Sequence, residues 1–254
     1  MIAEIHISDT KVRVDFSKPM PIATVIESSP ANVLAWYVEP PKIEPVRTEH
    51  FVGSVKEGGS VNFRNIYFNP HGHGTHTECV GHISKEDYFL EDCLKAYFHF
   101  VKVISVKPRD INDDKVILAA DVKTAWNTID DKNIKPSAIA IRTLPNDETK
   151  CHRHYSGTNP PYLNKEVVPF ILAQGVNHLL IDTPSVDREE DGGELICHHL
   201  FWEYPENTQK HRTITELIYI DNSIPDGLYL LSLQPASFKN DAAPCKPVLY
   251  SVIN

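Results

Sequence analysis

Four histidines and a glutamate crowd the stretch NPHGHGTHTECVGH (69–82): His71, His73, His76, His82 and, among them, Glu78. Imidazole nitrogen and carboxylate oxygen are the usual protein ligands of zinc, manganese and iron. In an extended segment alternate side chains point the same way, so His76 and Glu78 would share one side. Gly72, Gly74 and Gly81 would let the backbone bend around an ion. A solvated, histidine-rich loop has the same composition, and one segment cannot complete a metal site. The remaining donors must come from elsewhere in the chain.

Two later stretches offer them. In ELICHHLFWEYP (194–205), His198 and His199 follow an apolar run; taken alone, the pair reads as one buried and one exposed histidine. In TITELIYID (213–221), Glu216 interrupts a β-branched, apolar pattern, and alternation puts it on one face with Ile214 and Ile218. A carboxylate is costly to bury there unless it is paired or bound to a cation. In IDTPSVDRE (181–189), Asp182, Ser185 and Asp187 follow a strand end. They fit a capped turn or groups that orient metal-bound histidines. Cys79 and Cys197 lie beside histidines, but small buried cysteines are the commoner outcome. The chain has no GxSxG, HExxH, GxxxxGK[ST] or GxGxxG motif.

The elements that must position these groups are mostly strands. KVRVDF (11–16) alternates as a half-buried strand does, and ATVIES (23–28) and NVLAWYVEP (32–40) read as two more. A strand is expected within 57–70, ending just before the histidine cluster. FHFVKVISV (98–106), SAIAIRT (137–143), NHLLID (177–182), GLYLLSL (227–233) and KPVLYSVI (246–253) are further strands. LAADVKTAWNTI (118–129) has helical spacing. NKEVVPFILAQG (164–175) reads as a helix between Asn164 and Gly175, with Pro169 implying a later start or a kink. The polar run 183–213 reads as an insert too short to be a domain. A single α/β domain over 1–254 is the simplest organisation.

The 254 residues carry a net charge of −9, with a pI near 5.8 and no basic stripe, which disfavours nucleic-acid binding. No stretch approaches about 20 uninterrupted apolar residues, so no membrane partner is expected. No signal peptide is expected at MIAEIHISDTKVRVDF either. Five scattered cysteines without a CxxC suit reduced thiols and a cytoplasmic location.

GTHTECVGH (74–82), with a later histidine and glutamate, resembles the cyclase family of metal-dependent hydrolases, which includes kynurenine formamidases and isatin hydrolases. The family signature is HxGTHxDxPxH. The GTH at 74–76 and His82 fit it in register. VDFSKPM (14–20), IRT (141–143), ILAQGVNHLLIDTPSVD (171–187), CHHLFW (197–202) and TELIYID (215–221) are similar to other family segments, so the likeness spans nearly the whole chain. It implies a swivelling β/β/α arrangement, a homodimer or homotetramer, and a small-molecule substrate. It also implies one or two divalent ions per chain, zinc or manganese. His76, Glu78, His198 (favoured over His199 by the following LFW) and Glu216 fall on ligand positions. His82 falls on the acid/base position.

Three departures from the signature stand out. Its first histidine falls on Gly72, so His71 or His73 would have to replace it through a one-residue shift of the backbone. Its aspartate is Glu78, which reaches about 1.5 Å further. Its proline is Val80. The resemblance implies hydrolysis of an amide or cyclic amide. The divalent ion would acidify water and polarise the carbonyl, and His82 would protonate the leaving nitrogen. The departures also suit an alternative, a small-molecule-binding protein on the same fold that has lost turnover.

Overall fold

The computed structural model describes residues 1–7 and 10–253. Its centre is a ten-stranded sheet, with β1 (Ile2–Ile7), β2 (Thr10–Pro21), β3 (His76–Glu78), β4 (Phe98–Val106) and β5 (Ala138–Thr143) in the first half of the chain. β6 (His178–Ile181), β7 (Thr213–Glu216), β8 (Gly227–Ser232), β9 (Ala242–Pro244) and β10 (Val248–Ile253) complete it. The spatial order is β1-β2-β10-β8-β4-β5-β6-β7-β3-β9. Strands β4 to β7 form a parallel block, and antiparallel pairs extend it on both sides.

The parallel block explains its own sequences. A parallel strand is covered on both faces and is therefore apolar throughout. β5 and β6 are buried at every position. Ile139, Ile141, Leu179 and Ile181 face one core, with Trp126, Val167, Ile171, Phe201 and Trp202. Ala138, Ala140 and Leu180 face the other, with Ile22, Tyr229 and Leu249. The first core holds three helices, α3 (Ala119–Thr128), α4 (Val167–Ala173) and α5 (Ile196–Trp202); two single-turn helices precede them, α1 (Pro70–His73) and α2 (Leu90–Cys93). Pro169 is tolerated because α4 starts at Val167, leaving the proline in the first turn, where no intrahelical donor is lost. Gly175 ends this segment at φ +87°, a left-handed conformation that favours glycine.

Two expected strands do not form. Residues 23–28 make only one isolated bridge, Ala23 to Ile218, and Val25 is exposed. Backbone donors there are spent on side chains: Thr24 N–H donates to Thr75 and Glu27 N–H to Asn32. In 32–40, Trp36 and Tyr37 take left-handed φ values of 60° and 55°, which no strand accommodates. Their apolar neighbours Val33 and Ala35 are buried against Tyr155 and Leu217 instead. The strand at Glu216 also stops earlier than alternation implied, because Leu217 turns left-handed at φ 52°. Residues 183–213, expected as a polar insert, contain α5 and part of the core. No helix of the described residues is long and apolar enough to cross a membrane.

Candidate metal centre

The cluster forms where the parallel block meets β3 and β9. His76 and Glu78 lie two apart on β3, facing the same side. β7 pairs antiparallel with β3 so that Glu216 stands opposite His76. Glu216 is also the last residue of a parallel strand, the end where α/β sheets gather functional groups. Its Oε2 lies 3.4 Å from His76 Nε2, and its Oε1 accepts the Val186 N–H at 3.1 Å.

His198 arrives from α5. Asp187 seats the start of this helix by accepting the N–H groups of Cys197 (2.8 Å) and His198 (3.1 Å). The same carboxylate lies 2.6 Å from His198 Nδ1, which turns Nε2 toward Glu78 Oε1 at 3.2 Å. The helix is held down by Phe201 and Trp202, both fully buried. Burying a side chain such as Phe201 is worth about 1.5–3 kcal/mol. His199 points elsewhere, with Nδ1 2.9 Å from the Tyr204 carbonyl. Of the IDTPSVD residues, Asp187 orients a cluster histidine and Ser185 supports it by accepting the Asp187 N–H. Asp182 instead forms a buried pair with Lys150 at 2.8 Å.

Helix α1 decides between His71 and His73. Residues two apart on a helical turn diverge by about 200° at 3.6 residues per turn. Pro70 starts this turn, and the Asn69 side chain caps it by accepting the Gly72 N–H. His71 faces the cluster, its Nδ1 3.1 Å from Glu78 Oε2. His73 does not join it: Nδ1 accepts the Asn69 N–H and Nε2 lies 2.8 Å from the Glu39 carbonyl. Of the two alternatives for the signature's first histidine, the structure thus brings His71 into the cluster and leaves His73 outside it. Position 72 has no room for a side chain, since a Cβ there would come 2.7 Å from Val38 Cγ2 and 2.9 Å from the Ala35 carbonyl oxygen.

His82 sits at the mouth, 31% exposed, with Nδ1 3.7 Å from Glu78 Oε2. Asp241, just before β9, was not anticipated. Its Oδ2 lies 3.0 Å from His71 Nε2 and 3.5 Å from His82 Nδ1. The run SFKNDAAPCKP carries no ligand spacing, so only the pairing of β9 with β3 brings Asp241 here.

The electrostatics follow from burial among opposite charges. Burial disfavours charge on His71, but Asp241 and Glu78 outweigh it and push its pKa up to about 10. Burial likewise opposes charge on His198, while Asp187, Glu78 and Glu216 push it up to about 10. Burial would raise Glu78, yet His82, His198 and His71 hold it well below the usual carboxylate range. Asp241 is depressed as well; His71 and His82 overcome its burial.

The donor set fits a cation. Six buried side-chain polar atoms of the described residues lack a hydrogen-bond partner, and four are here: His76 Nε2, His198 Nε2 and both oxygens of Glu78. An unpaired buried polar group costs about 1–3 kcal/mol, so four in one place call for a shared partner. Three donor groups, His71/His76/Glu78, His71/His82/Asp241 and Glu78/His82/His198, each have their ligand atoms within 4.8 Å of one another.

Known proteins resemble the chain along most of its length. The Cyclase family model matches residues 14–188. A kynurenine formamidase of Bacillus cytotoxicus is 23% identical over 196 residues, 76% of this chain and 82% of the relative. Isatin hydrolase A from Labrenzia aggregata, solved with benzyl benzoate, superposes with a TM-score of 0.65 at 12% identity, covering 93% of this chain and 94% of that one. A structure described as a novel cyclase reaches a TM-score of 0.68 at 14% identity, covering 93% and 89%. At these identities the structural likeness establishes the fold, a strand-rich α/β arrangement around one large sheet.

Proposed function

The chain belongs to the Cyclase family, and from that premise we propose that it is a metal-dependent hydrolase opening the C–N bond of an amide or cyclic amide. The observation that carries this reading is the gathering of four unpartnered buried donor atoms from β3 and α5 around Glu78, with His76 Nε2 4.0 Å from its Oε2 and His198 Nε2 3.2 Å from its Oε1. His71, His76, Glu78, His198 and Glu216 would hold one or two divalent cations, zinc or manganese by donor type. When bound, such a cation polarises a carbonyl and lowers the pKa of water toward about 7.

The chain's own residues supply the rest. Glu78 aims its two oxygens at different histidines, Oε2 at His71 and Oε1 at His198, so it would offer a donor oxygen beside each of them. Asp187 fixes the His198 ring, leaving Nε2 for the cation. His82 is the proton carrier. It is the most exposed histidine of the cluster, with its Nδ1 3.7 Å from Glu78 Oε2 and 3.5 Å from Asp241 Oδ2. It takes a proton from water as the carbonyl is attacked and returns it to the leaving nitrogen. His76, Glu78, His198 and Glu216 are buried behind it, where low polarity strengthens their interactions.

The alternative, ligand binding without turnover, rests on Gly72 replacing a signature histidine. His71 answers it by entering the cluster from one residue earlier. We also carry the homo-oligomer in this proposal. Val55, Val61, Phe63, Ile66 and Tyr67 are all exposed within one short segment, an apolar concentration that suits contact with a second copy.

Elemental analysis of the purified protein, followed by a screen of formamides and lactams, tests the reading. One or two equivalents of zinc or manganese with C–N hydrolysis are expected. Metal uptake with binding but no turnover of any amide would favour the alternative.

A further inference from the structure

Three histidines of the cluster share one arrangement: one ring nitrogen faces inward and the other is anchored. His76 sends Nε2 inward, with Nδ1 3.0 Å from the Gly74 carbonyl. His198 sends Nε2 inward, with Nδ1 2.6 Å from Asp187. His71 is reversed. Its Nδ1 faces Glu78 at 3.1 Å, and its Nε2 lies 3.0 Å from Asp241 Oδ2. A neutral imidazole has one lone pair to give, and its other nitrogen carries a proton that needs an acceptor. That acceptor sets the tautomer and the rotation of the ring.

We propose that Asp241 is the positioning residue of His71, accepting its Nε2–H so that Nδ1 is presented to the cation, as Asp187 does for His198. The inference rests on the reading of the cluster as a cation site. It also explains how the chain works with Gly72. The replacing imidazole sits one residue before Gly72 on the same one-turn helix, and it enters with Nδ1 leading where His76 and His198 lead with Nε2. Its trailing nitrogen reaches the partly exposed rim, where nothing on α1 can hold it.

Asp241 is built to be there. Pairing of β9 with β3 sets Ala242 opposite Glu78, and the Asp241 carbonyl accepts the Cys79 N–H at 3.0 Å. Asn240 braces the turn by donating to the Ala242 carbonyl at 2.9 Å. A Cβ at Gly81 would come 2.1 Å from the Tyr88 carbonyl oxygen and 3.1 Å from Asp241 Cβ, so the bare glycine leaves Asp241 its room. The same Asp241 oxygen stands 3.5 Å from His82 Nδ1, so the carboxylate lies between the His71 and His82 rings.

The test is a titration of metal-free wild type, Asp241→Ala, Asp241→Asn and Asp187→Ala with zinc against a competing chelator. Cobalt(II) absorption spectra of the same proteins are recorded, with circular dichroism to confirm folding. Asp241→Ala should bind the wild-type number of ions at saturation, with affinity about 10–100-fold weaker, as for Asp187→Ala. Asp241→Asn keeps an oxygen acceptor and should fall between Asp241→Ala and wild type. The cobalt spectrum of Asp241→Ala should shift while the number of bound ions stays the same. Affinity within twofold of wild type for a folded Asp241→Ala would overturn the inference alone. So would loss of a whole equivalent at saturation, which would make Asp241 a ligand. A wild type that takes up no ion would overturn the cation-site reading and this inference together.

Discussion

Glu216 stands directly opposite His76 across the β7–β3 ladder, its carboxylate oxygen 3.4 Å from the ring nitrogen. That register ties a residue of the parallel block to a residue of the signature loop. The donor on each side is held by strand pairing rather than by a loose loop. Substitutions in the cluster should therefore act on metal binding and chemistry before they act on folding.

His82→Ala should lower turnover by about 10²–10⁴-fold, the usual worth of a positioned proton carrier. Metal content should not change, because His76, Glu78, His198 and Glu216 remain. Elemental analysis alongside the rate measurement checks both halves. Loss of metal would make His82 a ligand instead.

His71→Ala and His73→Ala should part company. Removing His71 deletes a donor, so metal affinity should fall further than the about 10–100-fold typical of an orienting partner. Removing His73 should leave metal affinity intact and cost about 0.5–1.5 kcal/mol of stability for each lost hydrogen bond. Chelator competition and urea denaturation of the two variants read these effects separately.

Gly72→His restores the family signature on paper but should not improve the site. Its Cβ would press on Val38 and on the Ala35 carbonyl. The expected result is a loss of about 1–3 kcal/mol in unfolding free energy, the usual cost of overpacking, with no gain in metal affinity. Tighter metal binding in a stable Gly72→His would show that the backbone gives way there.

Stability of the metal-free protein should depend on pH from both sides. His71 and His198 titrate near 10 when folded, against about 6.5 in an unfolded chain. Their contribution is fully present below about pH 6.5 and is lost as pH rises toward 10. His99 and His178, their ring centroids 3.9 Å apart, behave oppositely. Burial holds both below the usual value, with His99 itself adding to the depression of His178. Their contribution is present above about 6.5 and is lost as pH falls below it. Thermal melts from pH 4 to 10 should trace a maximum near neutrality, and a saturating divalent ion should lift the alkaline side by replacing the protons on His71 and His198. A flat profile would contradict both assignments.

Residue types and spacing alone determined much of this protein. Period-two spacing placed His76 and Glu78 on one side, and the apolar runs of β4, β5 and β6 marked three strands of the sheet. Glu216 announced itself as a carboxylate in an apolar strand pattern, whereas only the family resemblance, through the LFW that follows, favoured His198 over His199. These signals are local, because side-chain direction along a strand or helix repeats over a few residues. Tertiary structure decided the rest. The one-turn helix α1, closed over Val38 and Ala35, turned His71 inward and His73 away. Left-handed turns at Trp36 and Tyr37 cancelled a strand that β-propensity favoured, because burial against Tyr155 and Leu217 outweighed it. Asp241 entered only through the pairing of the edge strand β9 with β3, a contact between distant parts of the chain that leaves no periodicity in either segment.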